Sequence, residues 1–404
     1  MPRLTTFSRD DRGTIAVIFA VALIPVMGFA GAAIDYARAT QTRGKLQAAA
    51  DAAAIAALTM KASTDGQRQA IGTAVFQANQ PAGVASAVTV QANNKEATVS
   101  ASSAIETSLL KLVQIRRIEV ASFAKAVRTK DGPPPCVLAL SKTASPAIEI
   151  GGNADVALKN CVLHANSSAS GAISIGGSST VKANGYCAVG TVSSSIALAP
   201  TPESNCDEMK DPYAGLMAPF DTACHPSTTD VKIKPNQTKT LQPGVYCGGL
   251  DLQGHVTLKA GLYVIKDGPL SMNSQGSITG QAVTFYLMGD NAGFDIDGGA
   301  KLELSPTTDL PYKGLLIVQD RNSNVGATSK LNGNATTLLK GAIYAPTQMV
   351  RMNGSGTFGQ TSPFMPLIAE RVIMTGNATA NVDASSVDLV APLPRSASGA
   401  RLSQ

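Results

Sequence analysis

A chain of 404 residues with 44% hydrophobic content can bury a core and is long enough for two or three folded units, which excludes intrinsic disorder. Charged residues reach only 15%, Trp is absent, and 3 His with no Cys-x-x-Cys pair exclude a haem or zinc-rich protein. The net charge of +5 is uneven: residues 1–130 carry 15 Lys and Arg against 8 Asp and Glu, and the remainder 18 against 20. A basic excess held away from most of the mass, without interleaved aromatics, argues against nucleic-acid binding and for a membrane-proximal segment.

In chain order, residues 1–14 form a short tail containing Arg3, Arg9 and Arg12, and Ile15–Ile34 follows with no charge at all. Twenty apolar residues at 1.5 Å rise span about 30 Å, the thickness of a hydrocarbon core, so 15–34 is read as a transmembrane helix kinked at Pro25. A cleaved signal is the rival, because Ala30-Gly31-Ala32 resembles a cleavage site. The apolar run is longer than the usual core of about 7–15 residues in such signals, which favours a retained anchor. Arg38, Arg43 and Lys45 balance the preceding arginines, so flanking charge does not orient the span. Residues 35–63 are Ala-rich and read as a helix continuing out of the membrane, in which the 46–54 run LQAAADAAA permits close helix contacts.

Arg12-Gly13, Ala16, Phe19-Ala20, Pro25, Asp35-Tyr36, Arg38 and the 46–54 run carry a resemblance. Over about residues 9–60 the chain resembles TadG-like proteins of the Flp, or tight-adherence, pilus-assembly system. That resemblance implies an inner-membrane protein working with a pilus-secretion apparatus or other pilus-assembly proteins. It departs from processed pilins at Ile18, where the fifth residue after Gly13 is not Glu. Asp383-Ala384-Ser385-Ser386 also lacks the second spaced Ser of the von Willebrand A metal motif that some TadG-like proteins carry, so no metal-dependent adhesion site is expected.

Residues 64–130 read as a small α+β stalk: a helix over 67–80, a hairpin of 84–91 with 97–103 turned at Asn93-Asn94, a helix over 106–113 and a strand over 118–127. A long helix followed by a small sheet is similar to pilin architecture. Residues 131–135 (Asp-Gly-Pro-Pro-Pro) form a stiff linker.

Beyond it, over 136–390, a pattern of alternating apolar residues followed by Gly or Asn recurs. Its copies begin at Ile148, Ile173, Leu250, Phe294, Leu331, Val350 and Ile373, interrupted by insertions at 191–245 and 305–330. A period near 20–25 residues with Gly and Asn corners points to a stacked solenoid rather than a β-sandwich. The expected fold class is therefore one N-terminal transmembrane helix and a mainly β ectodomain. The ectodomain comprises the pilin-like α+β stalk and a right-handed parallel β-helix or solenoid-like domain. Residues 391–404 are expected to be a flexible tail.

Cys136, Cys161, Cys187, Cys206, Cys224 and Cys247 all fall in this domain. Six cysteines clustered beyond a membrane segment imply disulfides, an oxidising compartment and hence a cytoplasmic N-terminus with a periplasmic or extracellular body. Cys136 and Cys161 are one coil apart, so Cys136–Cys161 is the first pairing expected, with Cys187–Cys206 and Cys224–Cys247 stapling the insertion; 15 pairings remain open.

Solenoids that cleave polysaccharide gather carboxylates in a groove, and Asp295, Asp297 and Asp290 are the candidates here, with Arg351 and Arg371 on neighbouring coils. Asp before Gly is equally ordinary turn chemistry. His164, His225 and His255 are scattered, no nucleophile triad or phosphate loop occurs, and no catalytic residue, cofactor or metal site is assigned. The expected role is structural: pilus assembly or surface attachment, with the inner membrane and the Tad apparatus as partners. Binding or cleavage of polysaccharide is the alternative.

Overall fold

The computed structural model describes residues 12–60, 62, 64–129, 132–272, 276–297, 301–323, 325–332, 337–353, 357–358, 366–383, 393–396 and 399–403. Most of the expected N-terminal tail and residues 384–386 of the motif above lie outside them. The chain divides into two units, residues 1–129 with 399–404 and residues 130–398.

In the first unit the apolar and Ala-rich segments are one helix, α1 (Arg12–Thr59), which continues through Pro25. Its two halves bury opposite amounts of surface. Val17, Phe19, Val26 and Phe29 are exposed, whereas Leu46, Ala49, Ala50, Ala53, Ala54, Ala57 and Leu58 are fully buried. Among the described residues it is the one helix long and apolar enough to cross a membrane. Helix α2 (Asp65–Asn79) is capped by Thr64, whose hydroxyl accepts the Gln67 N–H at 3.2 Å. It then packs Phe76 into the alanine face of α1. Alanine and glycine permit the close approach: a Cβ on Gly72 would lie 2.8 Å from Val90 and 3.3 Å from Ala57.

Strands β1 (Ser86–Ala92), β2 (Glu96–Glu106) and β3 (Arg117–Thr129) form an antiparallel meander against these helices. Two expectations are corrected here. Residues 106–113 do not form a helix of the expected length, because β2 and β3 stay paired as far as Glu106 and Arg117; only a 3-10 turn at Leu110–Val113 remains at the hairpin tip. The expected flexible tail instead contains a strand, Gly399–Leu402, paired antiparallel to β3, whose outer edge it satisfies.

The second unit is a parallel β-solenoid of about nine turns with three faces. Its stacking order does not follow the chain. On the first face the strands run, in space, Gly244–Leu252, Gly261–Lys266, Val283–Met288, Leu315–Gln319, Ala342–Asn353 and Leu367–Met374, and then Pro135–Ala139, Val162–Ala165 and Gly185–Ala188. The last coil therefore packs on the first, Leu367 level with Val137 and Ala369 with Ala139. The corner motif continues through this junction. Gly376, Gly152 and Gly177 stack so closely that a Cβ on Gly152 would lie 2.8 Å from the Gly376 backbone, and Asn153 donates to Asn377 at 3.2 Å. Gly152 and Gly177 have φ of +67° and +71°, which only glycine adopts cheaply.

The supposed insertions are redistributed accordingly. Residues 229–245 and 315–330 supply coil strands; Glu203 still bridges Cys187 on the terminal coil, and it is the stretch between Cys206 and Thr229 that leaves the stack. That stretch must carry the chain from one end of the solenoid to the other, since Gly185–Ala188 and Gly244–Leu252 occupy the two ends of the first face.

The bore is filled by ladders in register. Tyr263, Phe285, Ile317, Ile343, Leu367, Val137, Leu163 and Tyr186 form one. Ala345, Ala369, Ala139, Ala165 and Ala188 form another. Each large member contributes about 1.5–3 kcal/mol by burial.

Candidate functional site

Two places in the molecule concentrate chemistry that the coil repeat does not require. The first lies in α1 at the end of its apolar run. The Asp35 carboxylate is buried and accepts the backbone N–H groups of Ser108 at 2.9 Å and of Leu109 and Leu110 at 2.8 Å. Those bonds, the Leu110 N–H foremost, hold its pKa below the usual carboxylate value. Arg38, one turn on, donates to Ser108 Oγ at 2.7 Å. Farther along, Gln47 treats β3 as a neighbouring strand would, donating to the Phe123 carbonyl at 2.8 Å and accepting its N–H at 3.3 Å. Asp35, Arg38 and Gln47 thus fasten the β2–β3 hairpin along the helix.

The second place is the first face of the solenoid. Its outward ladder is apolar: Val264, Tyr286, Val318, Tyr344, Ile368 and Leu138, with His164 and Cys187 at the end. All but the half-buried Cys187 are buried, because residues 206–224 run over them as a strap, packing Met209, Tyr213 and Leu216 on the face beside Tyr312. Cys187–Cys206 fixes one end and Cys224–Cys247 the other, with Cα separations of 5.9 and 5.8 Å. Between the staples, Asn166 exchanges bonds with the Met209 backbone at 2.8 and 3.0 Å. Asp211 accepts from Tyr344 at 2.8 Å and pairs with Arg321. Tyr312 donates to the Met217 carbonyl at 2.8 Å and Lys266 to the Thr222 carbonyl at 3.3 Å. Tyr213 meets Tyr344 edge-on at 5.2 Å.

Burial where the strap meets this face raises the pKa values of Tyr344, Tyr213 and Tyr286, and pushes Tyr312 up to about 12. His164 is 1% exposed, and desolvation lowers its pKa to about 4 against a smaller opposing effect of the neighbouring Asn166 side chain. It is a neutral, buried histidine.

The remaining sequence candidates separate. The third disulfide joins Cys136 to Cys161 on adjacent rungs, Cα atoms 5.4 Å apart. Asp295 lies on the strand Phe294–Ile296 and Asp297 just past its end, and Asp295 faces Lys330 at 3.6 Å within an outward ladder that also pairs Lys232 with Asp251. Asp297 accepts from Asn332 at 3.4 Å, and the Asp290 N–H is bound by Asp267 at a corner. Arg351 is level with Ile373, not Arg371; Arg371 is level with Met349 and donates to the Pro146 carbonyl at 3.0 Å. The three histidines lie apart: His225 caps a 3-10 turn at Pro226–Thr228 and His255 is exposed on the third face. Among the described residues one group, Cys187, Glu203 and Cys206, has metal-ligand spacing, yet its sulfurs are bonded to each other. The strap was missed in the sequence. Its signal was there: FYLM in Val283–Met288 and LLIV in Leu315–Gln319 are continuous apolar runs, the pattern of strands covered on both sides, while KLEL and HVTL alternate.

The helix side of this fastening belongs to one N-terminal segment, and the comparison with known families falls there. Residues 13–67 match the family model described as putative Flp pilus-assembly TadE/G-like. The Tad-like segment is a small part of the chain, and no curated protein and no solved structure matches. It contains Asp35, Arg38, Gln47 and the alanine face of α1, and so supplies the helix side of the first unit's core; Phe76 and the sheet residues that complete it lie beyond. The solenoid lies wholly beyond it.

Proposed function

We propose that this protein is a membrane-anchored structural component of Flp pilus assembly, with α1 as the anchor and the solenoid as a rigid body serving pilus biogenesis or surface adhesion. The observation that carries the reading is the Tad-like segment at 13–67 on a helix whose first half is apolar and exposed. Three disulfides and no free cysteine support an oxidising compartment for the body, and hence a cytoplasmic N-terminus at the inner membrane. A structural role is favoured over catalysis because the candidate carboxylates at 295 and 297 are engaged in rung-to-rung pairs.

Replacing residues 12–34 with a cleavable secretion signal tests the reading. The body should become soluble, stop co-purifying with the pilus-secretion apparatus from detergent-solubilised envelopes, and no longer support pilus display. Normal pili with a soluble body would overturn it. Cleavage of a polysaccharide by residues 130–398 would favour the alternative instead.

A further inference from the structure

Residues 107–116, the tip of the β2–β3 hairpin, end in an apolar surface that no other described residue covers. Leu112 is 77% exposed, Val113 61% and Ile115 48%, with Leu109 beside them at 41%. Scattered exposed aliphatic residues are ordinary; four of them within seven residues on one turn are not. The position of this turn says what covers it. Asp35 and Arg38 clamp Ser108–Leu110 to α1 immediately after the apolar run, and Gly31, inside that run, lies against Leu109 so closely that a Cβ there would be 2.7 Å from the Leu109 Cβ. The tip is therefore level with the last turn of the apolar half of α1. Its charged residues are Lys111, Arg116 and Arg117 against Glu106, which pairs loosely with Arg117 at 3.7 Å.

We infer that this tip is a second membrane contact: Leu112, Val113 and Ile115 insert at the boundary between headgroups and acyl chains, and Lys111, Arg116 and Arg38 meet anionic lipid headgroups. The inference rests on α1 being the membrane anchor. Apolar residues flanked by cations are the composition of interfacial segments, which lie about 5–10 Å deep. The consequence is mechanical. A single helix leaves the body free to swivel, whereas a helix and a clamped tip define a plane and hold the first unit against the bilayer. Gly31 and Asp35 then have a shared purpose, since one lets the tip approach the helix and the other pins it there.

The disulfide-bonded chain has no free thiol, so single cysteines can be labelled selectively in the full-length protein. Leu112→Cys and Val113→Cys, both at exposed positions, would carry an environment-sensitive fluorophore, with Phe19→Cys marking the anchor and Ser100→Cys the exposed sheet. In vesicles of equal phosphatidylglycerol and phosphatidylcholine, labels at 112 and 113 should be quenched about twofold or more by shallowly brominated lipid and shielded from aqueous iodide, as their interfacial depth demands. The label at 100 should behave oppositely. A lipid-quenched label at 19 with iodide-accessible labels at 112 and 113 would overturn the inference while leaving the anchor intact. Shielding from iodide without lipid quenching would mean that protein, such as a second copy, covers the tip, and would overturn it equally. An unquenched label at 19 would remove the anchor and the inference together.

Discussion

The strapped face and the open faces of the solenoid are made from the same parallel ladders, yet their outward residues differ completely. On the open second face the outward positions read Lys232, Asp251, Ser271, Asp295, Lys330 and Arg351; on the strapped face they read Val264, Tyr286, Val318, Tyr344, Ile368 and Leu138. The inward residues are mainly apolar on both, with the hydrogen-bonded Gln319 and Ser329 as buried polar exceptions. The difference teaches that outward polarity is set by what lies over the face, not by the coil. The strap also exists for a topological reason: a stack whose last coil docks on its first needs a segment to return along it.

The comparison breaks most sharply at paired positions within one strand. Ile317→Asp faces the bore and Val318→Asp faces the strap, so each should cost more than about 4 kcal/mol by burying an unpaired charge. Equilibrium denaturation of the 130–398 unit checks this. Stability retained in Val318→Asp would mean the strap lifts easily.

Opening a staple should come next. Cys187→Ser with Cys206→Ser removes a bridge across 19 residues and should cost about 3 kcal/mol. Limited proteolysis should then cut first between 206 and 224, the strap being the segment freed.

Acid sharpens the comparison through His164. Its folded pKa of about 4 lies below the unfolded value of 6.5, so the unfolded chain takes up the proton first. Its contribution is fully present above pH 6.5 and is lost as pH falls toward 4, at most about 3 kcal/mol. In His164→Leu that part of the pH dependence should disappear from thermal unfolding measured between pH 4 and 7.

The smallest effect belongs to the open face. Asp295→Asn with Asp297→Asn exchanges exposed charge on a solvated ladder and should change stability by no more than about 0.5 kcal/mol, leaving pilus display intact. Ile296→Asp, between them but facing inward, should unfold the coil. A double variant that loses function while folding normally would return those carboxylates to a catalytic role.

Several features could be read from the residues alone because their cause is local. The apolar run and alanines of α1 dictate one helix, exposed in one half and closely packed in the other. Alternating apolar residues closed by Gly-Gly-Asn or Gly-Gly-Ser dictate coils with left-handed corners. Other features depended on the tertiary structure because they join residues far apart in the chain. Nothing near Leu367 indicates that it lies beside Val137, or near Gly399 that it completes the edge of β3. Asp35 looks like the first polar residue after a membrane span until the hairpin tip, more than seventy residues later, brings it three backbone N–H groups. The strap is the clearest instance. Continuous apolar strands announce a covered face, but only the folded stack, whose two ends must be joined by one segment of chain, decides that residues 206–224 do the covering.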